Sequence, residues 1–491
     1  MSAKGSSPFS ILSFIRHNRL ASAGLALIGV ALLLPIWIVR FPPLLDFPNH
    51  LASSFVLARL HNPSFEFGQW YSANWGLRPY IATDFLMGAL GRVMPQLIAG
   101  KIMLSLGVLG LPLAAWFFLR QANPGENASA LWILLVAHNI FFLYGFVGFY
   151  CSLALMFLAL GLWLRWLKSP SPAGWIFTLI ALMAAYFTHL IGFLFAAVVV
   201  GCYAITRPNL REWLRSAALF VPGIIFYFIS SRAAEHQSGG AVFRPVGDKL
   251  AAVLLILHGY SHRLDLISIA AVGVFFVFAR VWNREFHWQW RWLIVAAGLF
   301  ITFAALPDGY GEGYDIDIRI LPVLFGVLFA TARTGRRGWW LGPIALLLFT
   351  ARTFDVTKHF RAAQPELAGM AEAFRMTPQN VRVLPIVAGH DEDPILQYYA
   401  HFWGYGVIER GWFSPYLLES PGLLPLHISM DTYSPDGFWD LSYGEKVEWA
   451  QIRSDYDYVW AYDVPNYESE LRKVGDLIYA SGKLKFFKIR K

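Results

Sequence analysis

The sequence is poor in charge. Asp, Glu, Lys and Arg make up 15% of its 491 residues, against about 25% in a soluble domain. That shortage excludes an ordinary soluble enzyme, although the length alone would suit about three soluble domains. Cysteine is nearly missing. Cys151 and Cys202 are the two present, and both sit inside apolar runs. The polar C-terminal part has none, so it has no disulfide framework. It also lacks a phosphate-cradling glycine-rich loop and any Cys/His spacing suited to zinc. The N-terminal stretch "MSAKGSSPFSILSFIRHNRLASAG" shows no small-residue cleavage site. The apolar run after it therefore reads as a retained span and not as a signal peptide. No internal repeat or low-complexity tract interrupts the chain.

What the chain does have is apolar bulk: 56% hydrophobic and 16% aromatic residues. Repeated apolar runs near 20 residues mark a polytopic α-helical membrane protein. About eleven spans are expected, at 20–39, 97–119, 129–144, 148–167, two short helices within 174–206, then 215–231, 264–282, 291–306, 319–332 and 338–353. The stretch 174–206 is too long for one crossing, so it is divided near Thr188–Gly192. An apolar helix at 248–260 is expected along the interface.

The net charge of +8 follows topology and not nucleic acid, which is excluded as a partner. One set of connections is basic: Lys4, Arg16 and Arg19; Arg120; Arg165 and Lys168; Arg207, Arg211 and Arg215; Arg280, Arg284 and Arg291; Arg333, Arg336 and Arg337. The alternate connections 144–148, 188–192 and 307–316 hold no Lys or Arg. The basic side is cytoplasmic by the positive-inside rule. This places the chain in the inner (plasma) membrane as a multi-pass protein with a cytoplasmic N-terminus. Two domains are expected: a transmembrane domain over 1–353 and an extracytoplasmic α/β domain over 354–491. In the second, "VRVLPIVAG" and "DYVWAYDV" read as buried strands, and "DLIYASGKLKFFKIRK" as two more with a Ser-Gly turn. The first outer loop, 40–96, carries "HLASSFVLARL" and "ATDFLMGALGRVM", which read as two helices lying along the outer interface.

Candidate chemistry collects on the outer side. Asp46 stands in "RFPPLLDFPNH", stiffened by Pro42, Pro43 and Pro48. Its plainest reading is a helix cap; its sharper one is a rigidly held general base. His50, four residues on, is helper or bystander. Asp84 opens the second interfacial helix, again as cap or as catalytic support. The late loop "LPDGYGEGYDIDIRILP" holds Glu312, Asp315, Asp317 and Arg319. An arginine at a span mouth is expensive unless it meets an acid or a phosphate. The plain expectation is a salt bridge to Asp315 or Asp317. The carboxylates could also bind a divalent ion, the one cofactor left open, although the spacing is no EF-hand. His189, at the outer turn inside "FTHLIGF", and His258 and His262 are candidate substrate or metal contacts. Each is also readable as an ordinary helix contact. His401, in "YAHFWGYGVIERG", reads as part of a docking helix or as an acceptor contact.

The acid after the first span ("PPLLDFPNH"), the two interfacial helices, the short paired spans around "FTHLIGF" and the late outer arginine of "DIDIRILP" together resemble the GT-C superfamily of membrane glycosyltransferases. Asp46 stands alone, followed by Phe47, where the family often has two adjacent acids, and "YGFVGFY" lacks the family's second acid. The resemblance covers most of residues 1–353. It implies an enzyme that moves a sugar from a polyprenyl-phosphate donor to an envelope lipid, glycan or protein acceptor on the outer face, with inversion. It also implies Asp46 as base and Arg319 on the lipid phosphate, with membrane lipid around both. Two other classes stay open on the residues: a lipid-linked envelope ligase or polymerase, and a transporter or scaffold, which would leave Asp46 and Arg319 dispensable.

Overall fold

The computed structural model describes residues 19–124, 129–231, 240–282, 284–311, 313–335, 338, 340–388, 393–420, 423–434 and 447–491. Among its helices are α1 (Arg19–Trp37), α2 (Phe47–Arg59), α3 (Ile81–Leu90), α4 (Gln96–Ala122), α5 (Val147–Lys168), α6 (Pro172–Thr188), α7 (Leu190–Ile205), α8 (Leu210–Ala218), α9 (Val221–Ser231), α10 (Val246–Ala252), α11 (His262–Trp282), α12 (Trp290–Ala305), α13 (Leu321–Thr331), α14 (Leu341–Ala362), α15 (Gln364–Glu372) and α16 (Gly404–Arg410). Among the described residues four helical stretches are long and apolar enough to cross a membrane: Gln96–Ala122, Val147–Lys168, Leu210–Ser231 and His262–Val281. Seven shorter apolar helices accompany them.

The segment expected to span at 129–144 is different. It is a 3-10 helix over Ser129–Val136 followed by a single α turn at Ile140–Leu143. Asn139 causes the break. Its Oδ1 accepts from the N–H groups of Phe141 and Phe142, so the side chain restarts the helix as a cap and the run cannot continue through it.

The two helices of the first loop form as expected. α2 and α3 pack on one another and sandwich the side chain of Gln96, whose Nε2 donates to Ser54 Oγ at 2.8 Å. Ten residues of α3 rise about 15 Å, half of what a bilayer core needs. It therefore lies outside the spanning set.

In the C-terminal region four strands make one sheet: β2 (Val383–Val387), β4 (Tyr458–Tyr462), β5 (Gly475–Ser481) and β6 (Leu484–Ile489), in the order β2-β4-β6-β5. β2 and β4 run parallel, with Val383 opposite Tyr458. Both are buried along their whole length, which is why they read as unbroken apolar runs. The other pairs are antiparallel. Trp412 and Phe374 pack against this sheet through Trp460 of β4.

This region is laid directly on the first loop. β1 (Tyr71–Ala73) pairs antiparallel with β3 (Leu426–Ile428). The Asn49 side chain donates to Tyr416 O at 2.8 Å and accepts from Leu418 N at 3.0 Å. α16 packs across α2 so closely that a Cβ at Gly404 would lie 2.8 Å from Pro48 O. Only glycine permits that approach.

Candidate active site

Asp46 occupies the N-cap position of α2, yet its carboxylate makes no capping bond. Oδ1 lies 2.9 Å from His401 Nδ1 instead, with 18% and 14% of the two side chains exposed. His401 Nδ1 also faces Leu45 O at 3.2 Å. With two oxygens as neighbours, Nδ1 carries a proton and donates. The Asp46 backbone N–H donates to Tyr144 O at 2.8 Å. That contact needs Gly145, whose φ is +76° and whose Cβ would stand 2.7 Å from Phe47 N. The acid is thus fixed from three directions: by prolines in its own loop, by the turn at 144–146 and by His401. The cap reading of Asp46 is corrected, because the imidazole competes for the oxygen that a cap would use.

His50 sits one turn into α2 and donates its backbone N–H to Asp46 O. Burial lowers its imidazole below the ordinary value. Asp46 opposes that shift, and His401 and Arg319 add to it. His50 therefore feels Asp46, His401 and Arg319 together.

Arg319 departs from its plain expectation. It bridges to neither Asp315 nor Asp317. Nη2 donates to Tyr314 O at 2.9 Å, and the guanidinium stacks on Phe146 and Phe149 at 4.8 and 5.7 Å. Nε is buried with no hydrogen-bond partner among the described residues. Nη1 lies 3.4 Å from His189 Nε2. His189 caps α7 by accepting Ile191 N–H at Nδ1. In the neutral ring the proton must then be on Nε2. Burial first, then Arg319 and His50, hold the imidazole well below its ordinary value and so neutral. Two N–H donors therefore face each other without an acceptor between them. The Tyr80 ring stands edge-on to His189 at 4.2 Å.

The neighbouring acids are engaged elsewhere. Arg244 contacts Asp308, Asp315 and Asp317, and Lys249 Nζ lies 3.6 Å from Asp317. Asp317 is fully buried and caps Ile318 N–H at 2.8 Å. Two cations, Arg244 and Lys249, thus stand against the three described acids of the loop, and all three carboxylates are engaged in ion pairs. Glu312 lies outside the described residues.

Asp84 is the fourth residue of α3, whose N-cap is Tyr80 in a left-handed conformation. It does not open the helix. It is 6% exposed, and burial pushes its carboxyl up to about 7. It makes no polar contact with any described residue, and it lies one helical turn from Tyr80 on the same side of α3.

His258 and His262 do not join this site. They form a second cluster with Asp265, Asp393 and Arg352. His258 Nε2 bonds Asp393 Oδ2, and its Nδ1 faces Asp265 Oδ2 at 3.6 Å. Arg352 Nη1 donates to Asp265 Oδ1 at 2.7 Å. Burial opposes charge on His258, but the bonds to Asp265 and Asp393 overcome it and raise the imidazole to about 9. His258, His262 and Asp265 offer ligand atoms all within 4.8 Å of one another. A metal would need a deprotonated His258 and would meet the Arg352 charge. The donor set fits an ion-pair clamp.

Sequence reasoning missed Tyr80, Phe146, Phe149 and Arg244. The aromatic contacts carry no local pattern beyond membrane-edge composition. Arg244 is a lone cation in a loop, and nothing local ties it to acids about seventy positions on.

No family model and no curated protein matches the chain. Several solved structures resemble it. One is ArnT from Cupriavidus metallidurans in the apo state, with a TM-score of 0.51 and 11% identity over 95% of this chain and 98% of that one. Another is the arabinofuranosyltransferase AftD from Mycobacteria, with a TM-score of 0.50 and 12% identity over 99% of this chain and 40% of that one. The fold is GT-C-like.

Proposed function

We propose that this GT-C-like chain is an inverting membrane glycosyltransferase that moves a sugar from a polyprenyl-phosphate donor to an acceptor hydroxyl on the outer face of the inner membrane. The observation that carries the reading is the pair of unanswered donors, Arg319 Nη1 and His189 Nε2, beside the unpaired Arg319 Nε. Buried donors without an acceptor are costly. A phosphate oxygen supplies what they lack, and a guanidinium fork suits it. Asp46 favours the charge on Arg319, which supports a reading in which base and phosphate site border one space.

In this reading Asp46 takes the proton of the acceptor hydroxyl, or orients that hydroxyl. The oxygen attacks the anomeric carbon from the face opposite the phosphate. The carbon–oxygen bond to the phosphate breaks, and the lipid phosphate leaves with the electron pair. Arg319 and His189 stabilise the charge that grows there, a contribution of about 3–4 kcal/mol to the barrier for one well-placed group. His50 and Asp84 are supporting candidates, and the prenyl chain lies among the apolar helices. The N-terminus is cytoplasmic and the C-terminal region faces out. The acceptor is an envelope lipid, glycan or protein.

The test offers the purified protein a panel of undecaprenyl-phosphate-linked pentoses and hexoses with envelope lipid extract, and follows release of undecaprenyl phosphate. Wild type should release it with at least one sugar, and Asp46→Asn should fold and insert but release none. Full activity in that variant removes Asp46 from the chemistry.

A further inference from the structure

We infer that His401 is a positioning residue for Asp46, so that the C-terminal region completes the active site. The inference rests on the glycosyltransferase reading. Its geometry is independent of that reading: a largely buried carboxylate and imidazole lie 2.9 Å apart, although they come from opposite ends of the chain. Nothing local to Asp46 chooses its rotamer, because the expected capping bond to α2 is missing. The His401 imidazole, with Nδ1 2.9 Å from Oδ1, makes that choice. It holds Oδ1 and leaves Oδ2, which has no partner among the described residues, to meet the acceptor hydroxyl.

The imidazole is itself aimed by its surroundings. Its Nδ1 hydrogen-bonds Leu45 O at 3.2 Å. The ring of Trp403 stands near-perpendicular to it at 6.1 Å. The close approach at Gly404 and the two Asn49 hydrogen bonds seat the segment on α2. A docking contact alone would not need a carboxylate facing an imidazole here, since apolar residues of similar volume serve as well or better. In the reaction the proton of the acceptor hydroxyl ends on Asp46 and the new oxygen–carbon bond replaces the bond to phosphate. His401 keeps its own proton throughout. Its task is to hold the carboxylate in a reactive pose, where a displacement near 1 Å lowers the rate about a hundredfold.

The experiment compares His401→Leu, His401→Asn and His401→Gln on the sugar that gives turnover with wild type. Asn places an amide nitrogen where Nδ1 stands, whereas Gln places one near Nε2. His401→Leu should lower kcat about a hundredfold while KM for donor and acceptor stays within about twofold. His401→Asn should regain most of the rate and His401→Gln should not. Undecaprenyl phosphate binding should be the same in all three. If the Leu variant fails to fold, the Asn–Gln pair decides, and equal rates there overturn the inference. A normal kcat in His401→Leu, or a loss confined to KM, also overturns it. A wild type that turns over no sugar on the panel overturns the glycosyltransferase reading, and this role falls with it.

Discussion

Two histidine–aspartate contacts tie the C-terminal region to the helices, and they are built in opposite ways. At one, His401 from the C-terminal region meets Asp46 after the first helix. At the other, His258 from the helical part meets Asp393 from the C-terminal region. The second is the more fully paired. His258 lies between two carboxylates, and Arg352 answers the inner one while donating also to Leu257 O at 2.6 Å. The first is left open: Asp46 has a single imidazole, and the nearby arginine, Arg319, keeps an unanswered N–H. A closed network fixes two pieces of chain together. An open one has capacity for a ligand. The contrast separates a clamp from a site where a list of buried histidines cannot.

The sharpest way to break the comparison is to exchange the fates of the two arginines. Arg319→Ala should lower kcat by about 10²–10³ and leave thermal stability close to wild type; Arg319→Lys should fall between, because a point charge replaces a fork. A wild-type rate in Arg319→Ala would make the open cluster structural. Arg352→Ala should do the reverse. It leaves Asp265 buried beside an unbalanced cluster, at a cost of about 3–5 kcal/mol, and unfolding in detergent should move accordingly. An Arg352→Ala protein as stable as wild type would mean that the second cluster is no clamp.

Acidity should distinguish the clusters next. His258 is raised to about 9 from an unfolded value near 6.5. A folded value above the unfolded one gives stabilisation that is complete below about pH 6.5 and lost as pH rises through about 9. The melting temperature should therefore fall between pH 7 and 10, and His258→Gln should flatten that slope. An unchanged slope in the variant would place the titration elsewhere.

The smallest effect concerns Asp84. Burial pushes its carboxyl up to about 7, so the folded state disfavours its charge, and stability from this residue declines as pH rises from about 4 to 7. Asp84→Asn should be more stable than wild type at pH 8 and nearly equal at about pH 4. A loss of turnover in the same variant would mark the acid as kept for function at the expense of stability. Equal melting temperatures at both pH values would show that Asp84 is better solvated than its 6% exposure implies.

How legible all this is from the residues varies with range. The long apolar helices declare themselves, since period and length are local properties. Asn139 sits in plain view within its apolar run, yet its power to break the span depends on the two N–H groups it reaches. Asp46 and Arg319 stand out as costly residues at span edges. Their partners do not, because His401, His189 and Arg244 are brought in by packing across hundreds of positions. The ion pairs of the 308–317 acids are hidden for the same reason: carboxylate density is visible in the letters, but Arg244 and Lys249 beside it are not.

The ladder between β1 and β3 and the contact of His401 with Leu45 across 356 positions also set a clock. A ribosome adding about 5–20 residues per second needs roughly 20–70 s to travel from one side of that contact to the other. Throughout that interval the first loop is already made, while the strand and the imidazole that finish it do not yet exist. A nascent or truncated chain can thus hold Asp46 without the imidazole beside it, until the last fifth of the protein has arrived.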